Sequence, residues 1–140
     1  MSETTDPRIS QVSEHPDAVR ADVLEPIEYQ YRGRREIEIT ITQPEFTSVC
    51  PMTGLPDFGS VTIRYTPAEH IIELKSLKFY LLQYRNVGIF YEHLVNRILD
   101  DLVEAVQPRM MEVKGEWFVR GGITTWVTAN HVDENWGYAE

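Results

Sequence analysis

Residues 61–85 read Val61-Thr62-Ile63-Arg64-Tyr65-Thr66-Pro67-Ala68-Glu69-His70-Ile71-Ile72-Glu73-Leu74-Lys75-Ser76-Leu77-Lys78-Phe79-Tyr80-Leu81-Leu82-Gln83-Tyr84-Arg85, and the hydrophobic period changes inside them. Val61, Ile63 and Tyr65 alternate with Thr62, Arg64 and Thr66, the pattern of a strand with one buried face. Pro67 ends that run. Leu74, Leu77, Leu81 and Tyr84 then recur at helical spacing, with Lys75, Lys78 and Arg85 off the apolar stripe. Upstream, Ile37, Ile39 and Ile41 alternate with Glu36, Glu38, Thr40 and Thr42, giving an earlier strand. Downstream, Asn86-Val87-Gly88 interrupts the pattern. Phe90, Leu94, Ile98, Leu102 and Ala105 form a second amphipathic helix that stops before Pro108. Met111, Val113, Trp117 and Val119 share a face of a further strand. Arg120-Gly121-Gly122 makes a turn, and residues 123–128, rich in Thr, Trp and Val, form the last strand.

The order is therefore strand, strand, helix, helix, strand, strand. Strands joined by short loops pair antiparallel, which predicts an α+β fold with a four-stranded sheet and both helices on one face. Such a subunit leaves its other face and both edges open. Closure into an oligomeric barrel would remove them. Residues 1–34 are polar and aperiodic and read as a mobile or loosely docked arm. Residues 35–140 read as a single domain.

Bulk properties narrow the function. At 140 residues, 42% hydrophobic and 25% charged, the chain has the make-up of one soluble globular domain. No apolar run reaches the roughly 18 residues that span a bilayer, and the N-terminal residues lack the pattern of a signal peptide. With one cysteine there is no internal disulfide, and a cytoplasmic location is expected. The formal net charge of −9 argues against a nucleic-acid surface. Lys75 and Lys78 on one helical face, with Arg120 at the Gly-Gly turn, suit a phosphate-bearing small molecule better than a polymer.

The single cysteine, Cys50, lies in Phe46-Thr47-Ser48-Val49-Cys50-Pro51-Met52-Thr53-Gly54-Leu55-Pro56-Asp57-Phe58. Pro44, Pro51, Gly54 and Pro56 predict an irregular loop there. A thiol in a loop with a carboxylate seven residues on is a candidate nucleophile with its proton-transfer partner. Glu73 falls at a helix N-terminus, where the helix dipole favours a carboxylate. One cysteine and no close histidine pair predict no structural zinc site.

Glu73-Leu74-Lys75-Ser76-Leu77-Lys78-Phe79-Tyr80 matches a Glu-x-Lys-(Ser/Ala)-x-Lys signature followed by bulky residues. On it, and on Glu45 to Pro51 with Asp57, Tyr84-Arg85-Asn86, Phe90-Tyr91-Glu92, Asn96 and Arg120 to Ile123, the chain closely resembles the nitrile oxidoreductases that reduce 7-cyano-7-deazaguanine, in their single-module form. The likeness runs from about Arg35 to Thr128. It implies a tunnelling fold assembled into a ring, two stacked pentamers making a homodecamer, with active sites between subunits. It implies NADPH-dependent conversion of the nitrile to an aminomethyl group in queuosine biosynthesis. Cys50 would form a covalent thioimide and Asp57 would supply the proton. Ile72, Glu73, Leu74, Tyr91 and Glu92 would bind the deazapurine, with Glu73 and Glu92 accepting from its guanine-like N–H groups. Lys75, Lys78 and Arg120 would hold the NADPH phosphates, without a Rossmann fold.

One departure stands out. Family members often carry His-Glu after the phenylalanine, whereas this chain reads Phe90-Tyr91-Glu92-His93. Tyr91 aligns with that histidine, and His93 falls about 200 degrees further round a helix. Two rival functions use some of the same residues. A cofactor-independent nitrilase-type hydrolase has no need of Lys75, Lys78 and Arg120. A non-catalytic purine- or pterin-binding module of the same fold needs Glu92 but neither Cys50 nor Asp57.

Overall fold

The computed structural model describes residues 14–136, without the side chains of Val119 and Arg120. Six strands and two helices follow one another as β1 (Pro26–Glu28), β2 (Ile39–Val49), β3 (Pro56–Thr66), β4 (His70–Ile72), α1 (Leu74–Leu82), α2 (Tyr91–Val106), β5 (Met110–Arg120) and β6 (Ile123–Val132). The long strands make one antiparallel sheet in the order β2-β3-β5-β6, and β1 and β4 pair separately. This is the α+β arrangement expected from the alternating periods.

One face of the sheet is the core. Phe46, Val61, Ile63, Tyr65, Met111, Val113 and Trp117 meet Leu77 and Leu81 of α1 and Leu94, Ile98, Leu102 and Val106 of α2. The other face carries charge: Arg64 pairs with Glu38 at 2.7 Å and with Glu112 at 3.5 Å. Two long apolar helices cover one face only, so alternating residues divide cleanly between core and solvent. Helix α2 ends at Val106 because Gln107 turns left-handed, φ 48, ahead of Pro108. At the β5–β6 turn Gly121 and Gly122 both take positive φ, 63 and 83, the two-residue turn only glycine makes cheaply.

Two expectations need correction. The predicted loop around Cys50 is shorter than read, because β2 runs on to Val49 and β3 begins at Pro56. Pro44 does not end the strand; it sits where the register shifts between Gln43 and Phe46, a bulge that spares the ladder from needing its missing N–H. The irregular loop is residues 50–55, and Asp57 belongs to a strand.

The second correction concerns the polar N-terminal segment, of which residues 1–13 lie outside the described part. From residue 14 onward it is docked rather than loose. Val19 and Leu24 join the core, and β1 pairs with β4. Arg97 of α2 donates to the carbonyls of Pro16 at 3.3 Å and Val19 at 3.1 Å. The Gln83 amide bonds both backbone groups of Arg20, at 2.8 and 2.9 Å. Beneath the segment a buried network joins the helices: Tyr84 to Tyr80 at 2.8 Å, Tyr80 to Asp101 at 2.5 Å, and Arg97 to Asp101 at 2.8 Å.

Candidate active site

Cys50 and Asp57 lie at one end of the β2–β3 ladder. Val49 pairs with Pro56 and Ser48 with Asp57, so the cysteine and the carboxylate flank the last rungs. The connecting loop is closed by backbone bonds, Gly54 N–H to Cys50 O at 2.8 Å and Cys50 N–H to Leu55 O at 2.9 Å. Both residues are buried, and Asp57 is in phase with Val61, Ile63 and Tyr65, the inward side of β3. A carboxylate at a core-facing position is costly unless it has a task or a partner. Opposite it, Ser48 is fully buried, and its hydroxyl has no hydrogen-bond partner among the described residues.

The same strand end is tied to the start of α2. Val49 N–H donates to Val87 O at 3.0 Å, and Ile89 N–H donates to Val49 O at 3.1 Å. This fixes Phe90-Tyr91-Glu92, immediately downstream, beside the cysteine loop. Phe90 has no side chain that can cap the helix, and Glu92 stands exposed in the first turn, where the dipole favours a carboxylate. Tyr91 stacks on Trp117, ring centres 4.1 Å apart and planes 18° from parallel. His93 instead turns its ring edge-on to Phe90, 6.2 Å away. It therefore does not take the place that Tyr91 holds.

At the start of α1 the Glu73 carboxylate caps its own helix, accepting the backbone N–H groups of Lys75 and Ser76, both at 2.8 Å. Those two amides hold its carboxyl below the usual glutamate range, so it is ionised at neutral pH. Each oxygen keeps a second lone pair for another donor. Ile72 turns its side chain into the core, whereas Leu74 and Lys75 are exposed. From Glu73 the chain runs through α1, about 13 Å long at 1.5 Å per residue, before Val87 meets Val49.

Lys78, one turn further along α1, lines a cavity of about 650 Å³ with Arg85, Glu45, Phe46, Phe58 and Phe118. Two cations and two exposed aromatic rings suit a nucleotide carrying phosphates, and the volume is in the range of small-molecule sites. Lys75 does not line this cavity, and the Arg120 side chain lies outside the described part. Arg85 lines this cavity, Ser48 pairs with Asp57 and Trp117 stacks on Tyr91, and none of the three drew a site role from the sequence. Arg85 follows Tyr84 on a short 3-10 turn, where helical periodicity fades. Trp117 looks like core and is core, with only its stacking on Tyr91 marking it. Among the described residues no group of three His, Cys, Asp or Glu could hold a metal ion.

A family profile described as QueF-like protein matches residues 56–136. The NADPH-dependent 7-cyano-7-deazaguanine reductase of Chloroherpeton thalassium is 55% identical over 116 residues, 83% of this chain and 99% of that protein. Its namesake in Chlorobaculum tepidum is 58% identical over 110 residues, covering 79% and 93%. The one in Thermoanaerobacter pseudethanolicus is 54% identical over 118 residues, covering 84% and 88%. Among solved structures, the apo form of an archaeosine synthase QueF-Like superposes with a TM-score of 0.59, covering 68% of this chain and 91% of that one. At 24% identity that likeness speaks for the fold alone.

Proposed function

The chain belongs to the QueF-like family, and from that premise we propose that it reduces the nitrile of 7-cyano-7-deazaguanine to the primary amine with NADPH, a step in queuosine biosynthesis. The observation that carries the chemistry is the burial of Cys50 and Asp57 at one strand end, tied by backbone bonds to the start of α2. Sulfur is the side-chain nucleophile strong enough for a nitrile carbon. The Cys50 sulfur bonds to that carbon while one C–N π pair moves to nitrogen. Asp57 passes the proton that sulfur gives up to this nitrogen, leaving a neutral thioimide. Tyr91, flat on Trp117, offers a ring edge or face to the deazapurine, and the exposed Glu92 accepts its N–H donors. Lys78 and Arg85 hold NADPH phosphates, with Lys75 and Arg120 extending the set. Bound NADPH supplies the hydride equivalents.

Glu73 and Leu74 stand at the start of α1, while the Val49 contact comes after its other end, an arrangement that supports a site completed by a neighbouring copy. Exposed Met52, Leu55, Phe58 and Phe118 surround the Cys50 end, and Leu74 and Phe79 crowd α1. With β2 and β6 as open edges, these fit a closed ring, two stacked pentamers, acting in the cytoplasm. No described helix is long and apolar enough to cross a membrane.

The test is mass spectrometry of the protein mixed with 7-cyano-7-deazaguanine and no NADPH. The expected result is a gain of one substrate mass, absent from Cys50→Ala and reversed by NADPH, with two cofactors oxidised per amine formed. Substrate-dependent NADPH oxidation by Cys50→Ala would overturn covalent catalysis.

A further inference from the structure

Four of the ten arginines of this acidic chain line a second cavity, which shares no lining residue with the cavity above. Arg32, Arg34 and Arg35 come from the turn before β2, and Arg109 from the turn before β5. The cavity measures about 650 Å³ and also takes in Tyr29 and Trp136.

The arginine turn is held rigid. Arg32 N–H donates to Tyr29 O at 3.1 Å, and Arg34 and Arg35 N–H both donate to Tyr31 O, at 2.9 and 3.0 Å. The buried Tyr29 returns its hydroxyl to Arg35 O at 3.0 Å. The guanidinium groups of Arg34 and Arg35 sit 5.2 and 5.4 Å from the centre of the Tyr31 ring. Arg109 is fixed independently, its N–H on Thr66 O at 2.9 Å and its O accepting from Asp133 N–H at 2.8 Å.

Charge is not balanced within this wall. Arg32 pairs with Glu28, and the one acid among the described residues lining the cavity, Glu36, accepts the Trp136 indole N–H at 3.1 Å. Arg34, Arg35 and Arg109 have no carboxylate partner among the described residues. Arginines gathered around one cavity repel one another, and in a protein of net charge −9 nearby acids would ordinarily be recruited to relieve that. Three guanidinium groups without a carboxylate partner among the described residues outnumber the one lining carboxylate, and beside an aromatic wall they form a receptor for a polyvalent oxyanion.

We propose that this cavity binds the diphosphate group of a ligand other than the NADPH used in catalysis. Arg34, Arg35 and Arg109 grip the oxygens, and Trp136 flanks whatever the diphosphate carries. The site is separate from Cys50, Asp57 and Lys78, and it stands or falls independently of the nitrile chemistry.

The probe is inorganic pyrophosphate, titrated calorimetrically into the purified assembly saturated with NADPH. One site per chain is expected, weakening steeply with added salt. Arg34→Gln and Arg109→Gln should each lower affinity about tenfold without moving the melting temperature or the reductase rate. A parallel titration with ADP separates the sources: tighter binding than pyrophosphate assigns the Trp136 wall to a base, and equal binding assigns the site to free diphosphate. Three results would overturn the proposal. They are no binding of pyrophosphate, binding unaffected by both substitutions, or complete displacement of pyrophosphate by NADPH, which would make the cavity part of the cofactor site.

Discussion

Tyr91 lies flat on Trp117 at 4.1 Å, so under the proposed function its ring, rather than an imidazole, is what this position offers the substrate. Tyr91→Phe preserves the stack, and kcat/KM is expected to stay within about threefold. A thousandfold fall, roughly 4 kcal/mol of transition-state stabilisation, would instead make the hydroxyl a proton donor. Ser48 presents the opposite case, a buried hydroxyl unsatisfied by the described residues, facing Asp57 across the ladder. Removing an unsatisfied buried polar atom relieves its desolvation, so Ser48→Ala is expected to raise stability by about 1 kcal/mol. If Ser48 orients Asp57 in the loaded site, adduct formation slows at the same time; an unchanged adduct rate assigns Ser48 to packing alone. Cys50, Asp57, Tyr91 and Glu92 were all legible as motif positions. Ser48 falls in the same motif but drew no role, because its place opposite Asp57 becomes visible only once the register of two strands is known.

The alternating Ile39/Ile41 and Val61/Ile63/Tyr65 patterns, and the helical stripes of α1 and α2, were plain in the sequence because each element buries one continuous apolar face. Strand β2 was read too short for a physical reason: Pro44 normally ends a ladder, and only the bulge beside it lets pairing resume at Phe46. The docking of residues 16–24 was equally hidden, since Arg97 and Gln83 grip backbone groups that leave no trace in side-chain pattern. At Gly115 a Cβ would come within 2.2 Å of the Trp117 ring and 3.1 Å of Val95. Alanine elsewhere in a strand gains about 0.5–1 kcal/mol over glycine. Here overpacking costs about 1–3 kcal/mol and should win. Gly115→Ala is therefore expected to lower stability, to change tryptophan fluorescence, and to weaken substrate binding through Tyr91. The Tyr80–Tyr84 network carries its own pH signature. Burial, the largest cause for each, raises both phenols, Tyr84 to about 12, so the folded protein keeps protons that the unfolded chain releases near 10. Stability from these groups is complete below pH 10 and is lost as pH rises through 12. Tyr84 alone accounts for roughly 3 kcal/mol. Denaturant midpoints across pH 8–12 should fall accordingly, and less steeply in Tyr84→Phe.

At the scale of the molecule, the sequence pattern gives a reason to expect assembly, namely two open sheet edges. Open edges follow from counting strands, whereas which surfaces meet depends on where exposed side chains end up. The fold leaves Met52, Leu55, Phe58 and Phe118 exposed around the Cys50 end, and Leu74 exposed beside Glu73 at the far end of α1. Burying large apolar side chains is worth about 1.5–3 kcal/mol each, and the proposed ring contact would cover both groups. Assembly and activity should therefore be lost together. Met52→Asp with Phe79→Asp puts charge into the surface and leaves Cys50, Asp57, Glu73, Glu92 and the lining of the Lys78 cavity in place. Light scattering is expected to show smaller species, and NADPH oxidation should collapse, while far-UV circular dichroism stays native. Adduct formation separates two roles for the neighbour. If Glu73 of an adjoining copy is needed to hold the base, the dissociated variant forms no thioimide even at high substrate concentration. A stable monomer that still forms adduct and turns over at the full rate would mean that each chain carries a complete site, and the ring would then serve stability alone.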